Sequence, residues 1–349
     1  MVIVDTGSPF TILSPRLLRG VLPRGDARAR SLSLGGAIFA DAPVVPFDGN
    51  LPSAPNGGVT GGIAGFSSWG SSLLALDYRA PAVGIGAETT PADAAEPVRI
   101  AFALEGGGRH SFPHPVGDVA FPATRIVINA EVEGRSLHLL LDTGANWICL
   151  CRSVFRALAN DERSTVEAFV SGVDAPTTGT IFRLRSVSLG EGTVIAEPLA
   201  ASSESIDAHL DDLSTELNRS VDGLLGASFL RNFDVVVDYA GRELRLRRYH
   251  AARNADRYRR VGIELGRALD RKGNVKVRRV FPGSDAERQQ IRVGDEILAI
   301  DGTPLADRAI DANALLEGDS GIARVLTLVG RSVTARVENL LPLETHPSN

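Results

Sequence analysis

Asp5 closes the apolar run Val2-Ile3-Val4 and opens the turn Thr6-Gly7-Ser8. Asp142 closes Leu139-Leu140-Leu141 and opens Thr143-Gly144-Ala145. Two carboxyls brought together from matching positions cannot both ionise, so they share one proton. The ionised member can take a proton from water while the other gives its proton to a carbonyl. The titration then belongs to the pair rather than to either residue. Gly7 and Gly144 suit a tight turn and let backbone N–H groups approach the carboxylates. The Thr6 and Thr143 hydroxyls can bond the opposite half and fix the pair. Ser8 carries a hydroxyl that Ala145 lacks. We therefore expect Ser8 to donate to Asp5 and Asp5 to be the more readily ionised member.

Elements that could deliver such a pair are visible as an internal repeat. Gly62-Ile63-Ala64-Gly65 matches Gly223-Leu224-Leu225-Gly226, and Leu74-Ala75-Leu76-Asp77-Tyr78 matches Val235-Val236-Val237-Asp238-Tyr239. The second Gly lies twelve residues before the Asp-Tyr aspartate in both copies. Ser33-Leu34-Gly35 echoes Ser188-Leu189-Gly190. Short apolar runs bounded by Gly and Pro indicate strands. Copy one spans residues 1–96. A loop rich in Ala, Pro, Gly and His follows (97–122), and copy two spans 123–250. Arg125–Val132 and Ser136–Leu141, joined at Glu133-Gly134-Arg135, read as a hairpin that delivers Asp142. Copy one has four residues before its aspartate. We expect its opening strand, and any export signal, to lie upstream of Met1.

These residues resemble the pepsin/retropepsin superfamily of aspartic peptidases, in the bacterial retropepsin-like form with two lobes in one chain. In that family each Asp-Thr-Gly is followed by Ser, Thr or Ala, and a hydrophobic-hydrophobic-Gly run packs beneath it. Here that would be Ile63-Ala64-Gly65 and Leu224-Leu225-Gly226. The resemblance covers residues 1–250. It implies catalysis by Asp5 and Asp142, supported by Thr6, Gly7, Ser8, Thr143, Gly144 and Ala145. It also implies an extended peptide or protein substrate held between β-barrel lobes, without metal or organic cofactor. No Tyr lies between Ser8 and Gly65, where pepsin-like enzymes carry a flap tyrosine, so any flap residue here is a different one. A peptide-binding pair of lobes without activity, and lobes that act only in a homodimer, are the alternatives.

Residues 256–343 read differently. Val277–Val280 is strand-like, and Pro282-Gly283-Ser284-Asp285-Ala286 is a turn leading into a short helix. Ile291 to Gly302 then gives turn, strand and turn. This resembles a PDZ domain of bacterial protease type, with short helices on a β-sandwich. The resemblance places a peptide's terminal carboxylate on the backbone of Val261-Gly262-Ile263, the peptide adding as a strand. Asp311–Leu316 would begin the flanking helix. The pairing of module and lobes implies export to the periplasm or cell exterior.

Composition narrows the rest. Hydrophobic residues at 44% and charged residues at 23% exclude a disordered or fibrous chain. The net charge of −5, with no Lys/Arg block, excludes a nucleic-acid footprint. No run of eighteen apolar residues is present, so no transmembrane segment is expected. Cys149 and Cys151 read as small core residues, poorly spaced for a bridge. His110 and His114 sit in a Gly/Pro-rich stretch without further ligands, so no metal site is expected. Arg242, Arg245, Arg247, Arg248, Arg253, Arg257, Arg259 and Arg260 read as a solvated strand face and linker. Ser203–Glu216 reads as an amphipathic helix or a solvent loop.

Overall fold

The structure, a computed structural model, describes residues 2–14, 28–34, 37–46, 61–70, 72–80, 82–87, 96–112, 117–158, 163–170, 177–249, 257–267, 275–306 and 312–341. It is mainly β. In the first repeat, the apolar runs become β1 (Val2–Val4), β2 (Thr11–Leu13), β3 (Arg28–Leu34), β4 (Ala37–Pro46) and β5 (Gly62–Ala64). They form one sheet in the order β1-β5-β2-β4-β3. One helical turn, α1 (Phe66–Trp69), leads into β6 (Leu73–Asp77) and β7 (Ala82–Ile85).

The segment expected as a loop contains strands instead: β8 (Val98–Ala101), β9 (Leu104–Glu105), β10 (Gly108–Phe112) and β11 (Gly117–Phe121). Val98 and Ile100 are partly buried and alternate with exposed Arg99 and Ala101. An open sheet edge recruits this short alternation despite the loop-like composition. His110 lies on β10, and His114 lies outside the described residues.

In the second repeat, β12 (Arg125–Val132) and β13 (Arg135–Leu141) form the expected hairpin. Glu133 and Gly134 turn it with φ of 50° and 80°, the left-handed pair that a two-residue hairpin loop requires. The chain continues through β14 (Ile148–Leu150), α2 (Arg152–Leu158), β15 (Thr165–Val170), β16 (Thr177–Arg183), β17 (Ser186–Ser188), β18 (Ile195–Ala196) and β19 (Leu199–Ser203). Then come α3 (Glu204–Leu217), β20 (Gly223–Leu225), α4 (Ala227–Leu230), β21 (Phe233–Asp238) and β22 (Glu243–Arg248). The acidic stretch is thus a helix. The Ser203 hydroxyl caps it by accepting from the Ile206 N–H at 3.2 Å, and Ile206, Leu210 and Leu213 face the core.

Both repeats wind their strands alike. β5 lies between β1 and β2, parallel to the first and antiparallel to the second. β20 lies in the same way between β13 and β14. β2 runs parallel to β4, and β14 to β19. The repeats join where β6 pairs antiparallel with β21, in a sheet ordered β7-β6-β21-β22-β8. One apolar core spans this joint, from Leu74 and Leu76 to Val235, Val237 and Tyr239. One difference remains. β13 has β12 on its outer side, whereas no described strand lies outside β1.

The C-terminal module comprises β23 (Arg259–Arg260), β24 (Ile263–Arg267), β25 (Val275–Val280), α5 (Asp285–Arg288), β26 (Glu296–Ile300), β27 (Thr303–Pro304), β28 (Ala323–Leu328), β29 (Arg331–Arg336) and β30 (Glu338–Asn339). Its main sheet runs β24-β25-β26-β28-β29 around a core of its own. Ser284 caps α5, as its turn suggested. Where a flanking helix was expected there is a single 3₁₀ turn, Ala314–Leu316, and Asp311 lies outside the described residues. In the arginine-rich junction, Arg245 pairs with Asp238 and Glu243, Arg247 with Asp234, Arg259 with Asp319 and Arg260 with Glu317. These cations are neutralised within the chain.

Candidate active site

Asp5 and Asp142 leave their strands at equivalent points. The Asp5 N–H donates to the Ala64 carbonyl at 2.9 Å, and the Asp142 N–H to that of Leu225 at 3.2 Å. The strand carrying each Gly motif therefore anchors the adjacent aspartate. A Cβ at Gly65 would overlap the Phe10 carbonyl, and one at Gly226 the Trp147 carbonyl. Only glycine lets the following segment pass that close.

The two turns interlock across the repeats. The Thr6 hydroxyl donates to the Leu141 carbonyl at 2.9 Å, and the Thr143 hydroxyl to the Val4 carbonyl at 2.8 Å. Each hydroxyl also accepts the other threonine's N–H at 3.1 Å. Thr6 is 1% exposed, so its bond to the Leu141 carbonyl forms away from competing water. A Cβ at Gly7 would lie 3.0 Å from the Asp142 carboxyl carbon, and one at Gly144 would lie 2.8 Å from that of Asp5. Each glycine thus makes room for the other repeat's carboxyl.

The Asp5 and Asp142 carboxyls lie side by side, since a Cβ at Gly7 would sit 3.0 Å from both Asp5 Oδ1 and the Asp142 carboxyl carbon. The Gly7 N–H donates to Asp5 Oδ1 at 2.7 Å. Asp142 Oδ1 accepts from two N–H groups, Gly144 at 2.9 Å and Ala145 at 3.0 Å. Desolvation by the surrounding protein pushes the Asp5 carboxyl well above its ordinary range. The neighbouring Asp142 carboxyl pushes it the same way, against the Gly7 N–H and the Arg125 guanidinium. Burial thus opposes ionisation of Asp5, where the sequence had suggested that Ser8 would favour it. Ser8 does not offset this, because its hydroxyl donates to the Phe10 carbonyl at 2.8 Å instead of to Asp5. Asp142 has the extra donor, and it comes from the Ala145 backbone.

Three supporting features were not singled out from sequence. The Ser67 hydroxyl accepts the Thr11 N–H at 2.8 Å, and the Ser228 hydroxyl accepts the Ile148 N–H at 2.8 Å. The offset that carries Gly65 onto Gly226 also carries Ser67 onto Ser228, so the repeat held that signal. Arg125, 8% exposed, donates to both Glu216 oxygens at 3.2 Å and contributes positive potential at Asp5. Tyr239, 1% exposed, packs beneath with Phe66, Trp69 and Phe102.

The other candidates lie elsewhere. Cys149 and Cys151 are unbridged and half-buried, and burial pushes the Cys149 thiol up to about 12. Among the described residues, no group of three His, Cys, Asp or Glu side chains is placed to hold a metal. Among the described residues, no helix is long and apolar enough to cross a membrane. In the module, Val261, Gly262 and Ile263 are buried. The Val261 N–H donates to the Leu316 carbonyl at 3.1 Å, and the Gly262 carbonyl accepts from the Phe281 N–H at 2.9 Å.

Residues 128–229 match the aspartyl protease family model. The match begins inside β12, includes Asp142-Thr143-Gly144 and ends in α4. Residues 253–329 match the PDZ domain model. A crystal structure of a retropepsin-like aspartic protease from Rickettsia conorii is 21% identical. That match covers 35% of this chain and 90% of that one, with a TM-score of 0.26. The chain has no match among curated proteins. Residues 128–229 are thus similar to aspartyl proteases and residues 253–329 to PDZ domains.

Proposed function

We propose that the chain is an aspartic endopeptidase whose catalytic pair is Asp5 and Asp142. The observation that carries this reading is the cross-repeat lock of Thr6 and Thr143, which holds two carboxyls side by side within one chain. Asp5, desolvated and beside a second carboxyl, keeps the shared proton. Asp142, stabilised by the Gly144 and Ala145 N–H groups, takes a proton from water. The water oxygen then bonds to the substrate carbonyl carbon as Asp5 protonates the carbonyl oxygen. Breakdown of the resulting diol moves a proton to the departing amine and cleaves the C–N bond. An extended peptide between the repeats is the substrate, and the PDZ domain binds peptide beside it. Both carboxyls come from one chain, which favours a single-chain site over a homodimeric one. Export to the periplasm or cell exterior completes the reading and rests on family resemblance alone.

The test is cleavage of an unfolded protein between pH 3 and 7 by the chain and by Asp142→Asn. A loss of about 10²–10⁴-fold or more in the variant is expected. Equal cleavage by both would remove Asp142 from the mechanism.

A further inference from the structure

The edge strand of the PDZ domain is held from both sides at adjacent residues. On its outer edge, the Asn313 side chain donates to the Leu265 carbonyl at 2.9 Å and accepts the Leu265 N–H at 2.8 Å. This is the donor–acceptor pair that the backbone of an added strand would offer. One residue earlier, the Glu264 side chain, 2% exposed, reaches the second repeat. Its Oε1 accepts the Phe169 N–H of β15 at 2.8 Å, and its Oε2 accepts from Arg279 Nε at 3.2 Å. The β24–β25 register shifts between these two residues. The contact is broad: Tyr258 and Phe281 pack with Ala168, Ile181 and Trp147. The Tyr258 and Trp147 rings meet edge-on at 6.1 Å. Trp147 lies on the chain leaving the Asp142 turn, and its carbonyl packs on Gly226.

We propose that an extended peptide adds to the outer edge of β24 in place of the Asn313 amide, and that Glu264 and Tyr258 transmit its arrival to β15 and Trp147. The PDZ domain is then a peptide-operated control on the repeat that carries Asp142. This rests on the peptide-binding reading of the module but not on peptidase activity. Asn313 acts as a built-in competitor, because a peptide must displace two satisfied hydrogen bonds before forming its own. A strand pairing at Leu265 alters the strand at the irregularity next to Glu264. That carboxylate is buried, so it cannot exchange the Phe169 N–H for solvent at little cost.

The full chain carrying Trp69→Phe leaves Trp147 as the only tryptophan. A fluorescein-labelled decapeptide of alternating Val and Thr is titrated by anisotropy, and Trp147 emission is followed with the unlabelled peptide. Asn313→Ala should bind at least tenfold more tightly than its parent. Asn313→Asp, which keeps the acceptor for the Leu265 N–H but loses the donor, should fall between them. Saturation should shift Trp147 emission in Asn313→Ala, and adding Glu264→Ala should reduce the shift without preventing binding. Equal affinity of parent and Asn313→Ala would overturn the competitor role. Binding with unchanged Trp147 emission would overturn the transmission. No binding by any variant would overturn the peptide-binding reading itself, whatever the chain's activity as a peptidase.

Discussion

Ala75 pairs in register with Val236, its own counterpart in the repeat. Thr6 and Thr143 are counterparts too, and they bond each other reciprocally. A residue can meet its own repeat mate symmetrically only on the pseudo-twofold axis. These two contacts therefore mark that axis, one at the carboxyl pair and one in the joint between the repeats. The symmetry has direct energetic consequences.

Thr6→Ala and Thr143→Ala should each cost about 1–3 kcal/mol, because each orphans a carbonyl and an N–H of the other repeat. They remove parts of one interaction, so the double variant should cost clearly less than the sum. Chemical denaturation of the two single variants and the double variant measures this. Strict additivity would mean that the two threonines act independently.

Asp5→Asn should abolish cleavage yet raise the melting temperature at pH 7. The folded-state pKa of Asp5 is raised above its unfolded value. Its stabilising contribution is therefore present at acid pH and lost as pH rises through that raised value. Asparagine removes the loss. The gap between variant and parent should close below the ordinary aspartate range. Thermal melts at both pH values decide the sign.

Ser8→Ala should leave the acidic limb of the pH–rate profile in place, since its hydroxyl bonds Phe10 and not Asp5. Its cost should be confined to stability, about 0.5–1.5 kcal/mol for one hydrogen bond. A displaced acidic limb would show that Ser8 reaches the carboxyl during turnover.

Arg125→Gln combined with Glu216→Gln should move the basic limb to higher pH. Arg125 favours ionised Asp5, so its removal raises the pH at which Asp5 loses its proton. Changing both partners avoids leaving Glu216 as an unpaired, largely buried charge. A basic limb that stays in place or falls would assign Arg125 to structure alone.

The repeated motifs carried the centre of the fold because their residues are demanded by close approach. Gly65 and Gly226 admit no Cβ, and Asp-Thr-Gly places a carboxyl, a cross-linking hydroxyl and a passing backbone in three residues. The β12–β13 hairpin was legible from its alternation and its Glu133-Gly134 turn. The strand at Val98–Ala101 was not, because its stability comes from Leu244 and Leu246 far along the chain. The partner of Ser8 was misread because side-chain direction after a turn decides it. The Ser8 hydroxyl had two acceptors within local reach, and the sequence contains both. Asn313 gave no signal at all, since its partner is backbone.

The joint at Ala75 and Val236 also fixes the order of events when the chain is made. Thr6 must wait for Thr143, 137 residues downstream, and β6 must wait for β21. Contacts of such long sequence separation form late and slowly. An emerging chain that has completed only its first repeat displays Asp5 without a partner and β6 paired on one side alone, with β7. The carboxyl pair therefore does not exist until most of the chain has been synthesised, and the topology itself delays any chemistry until folding is nearly complete.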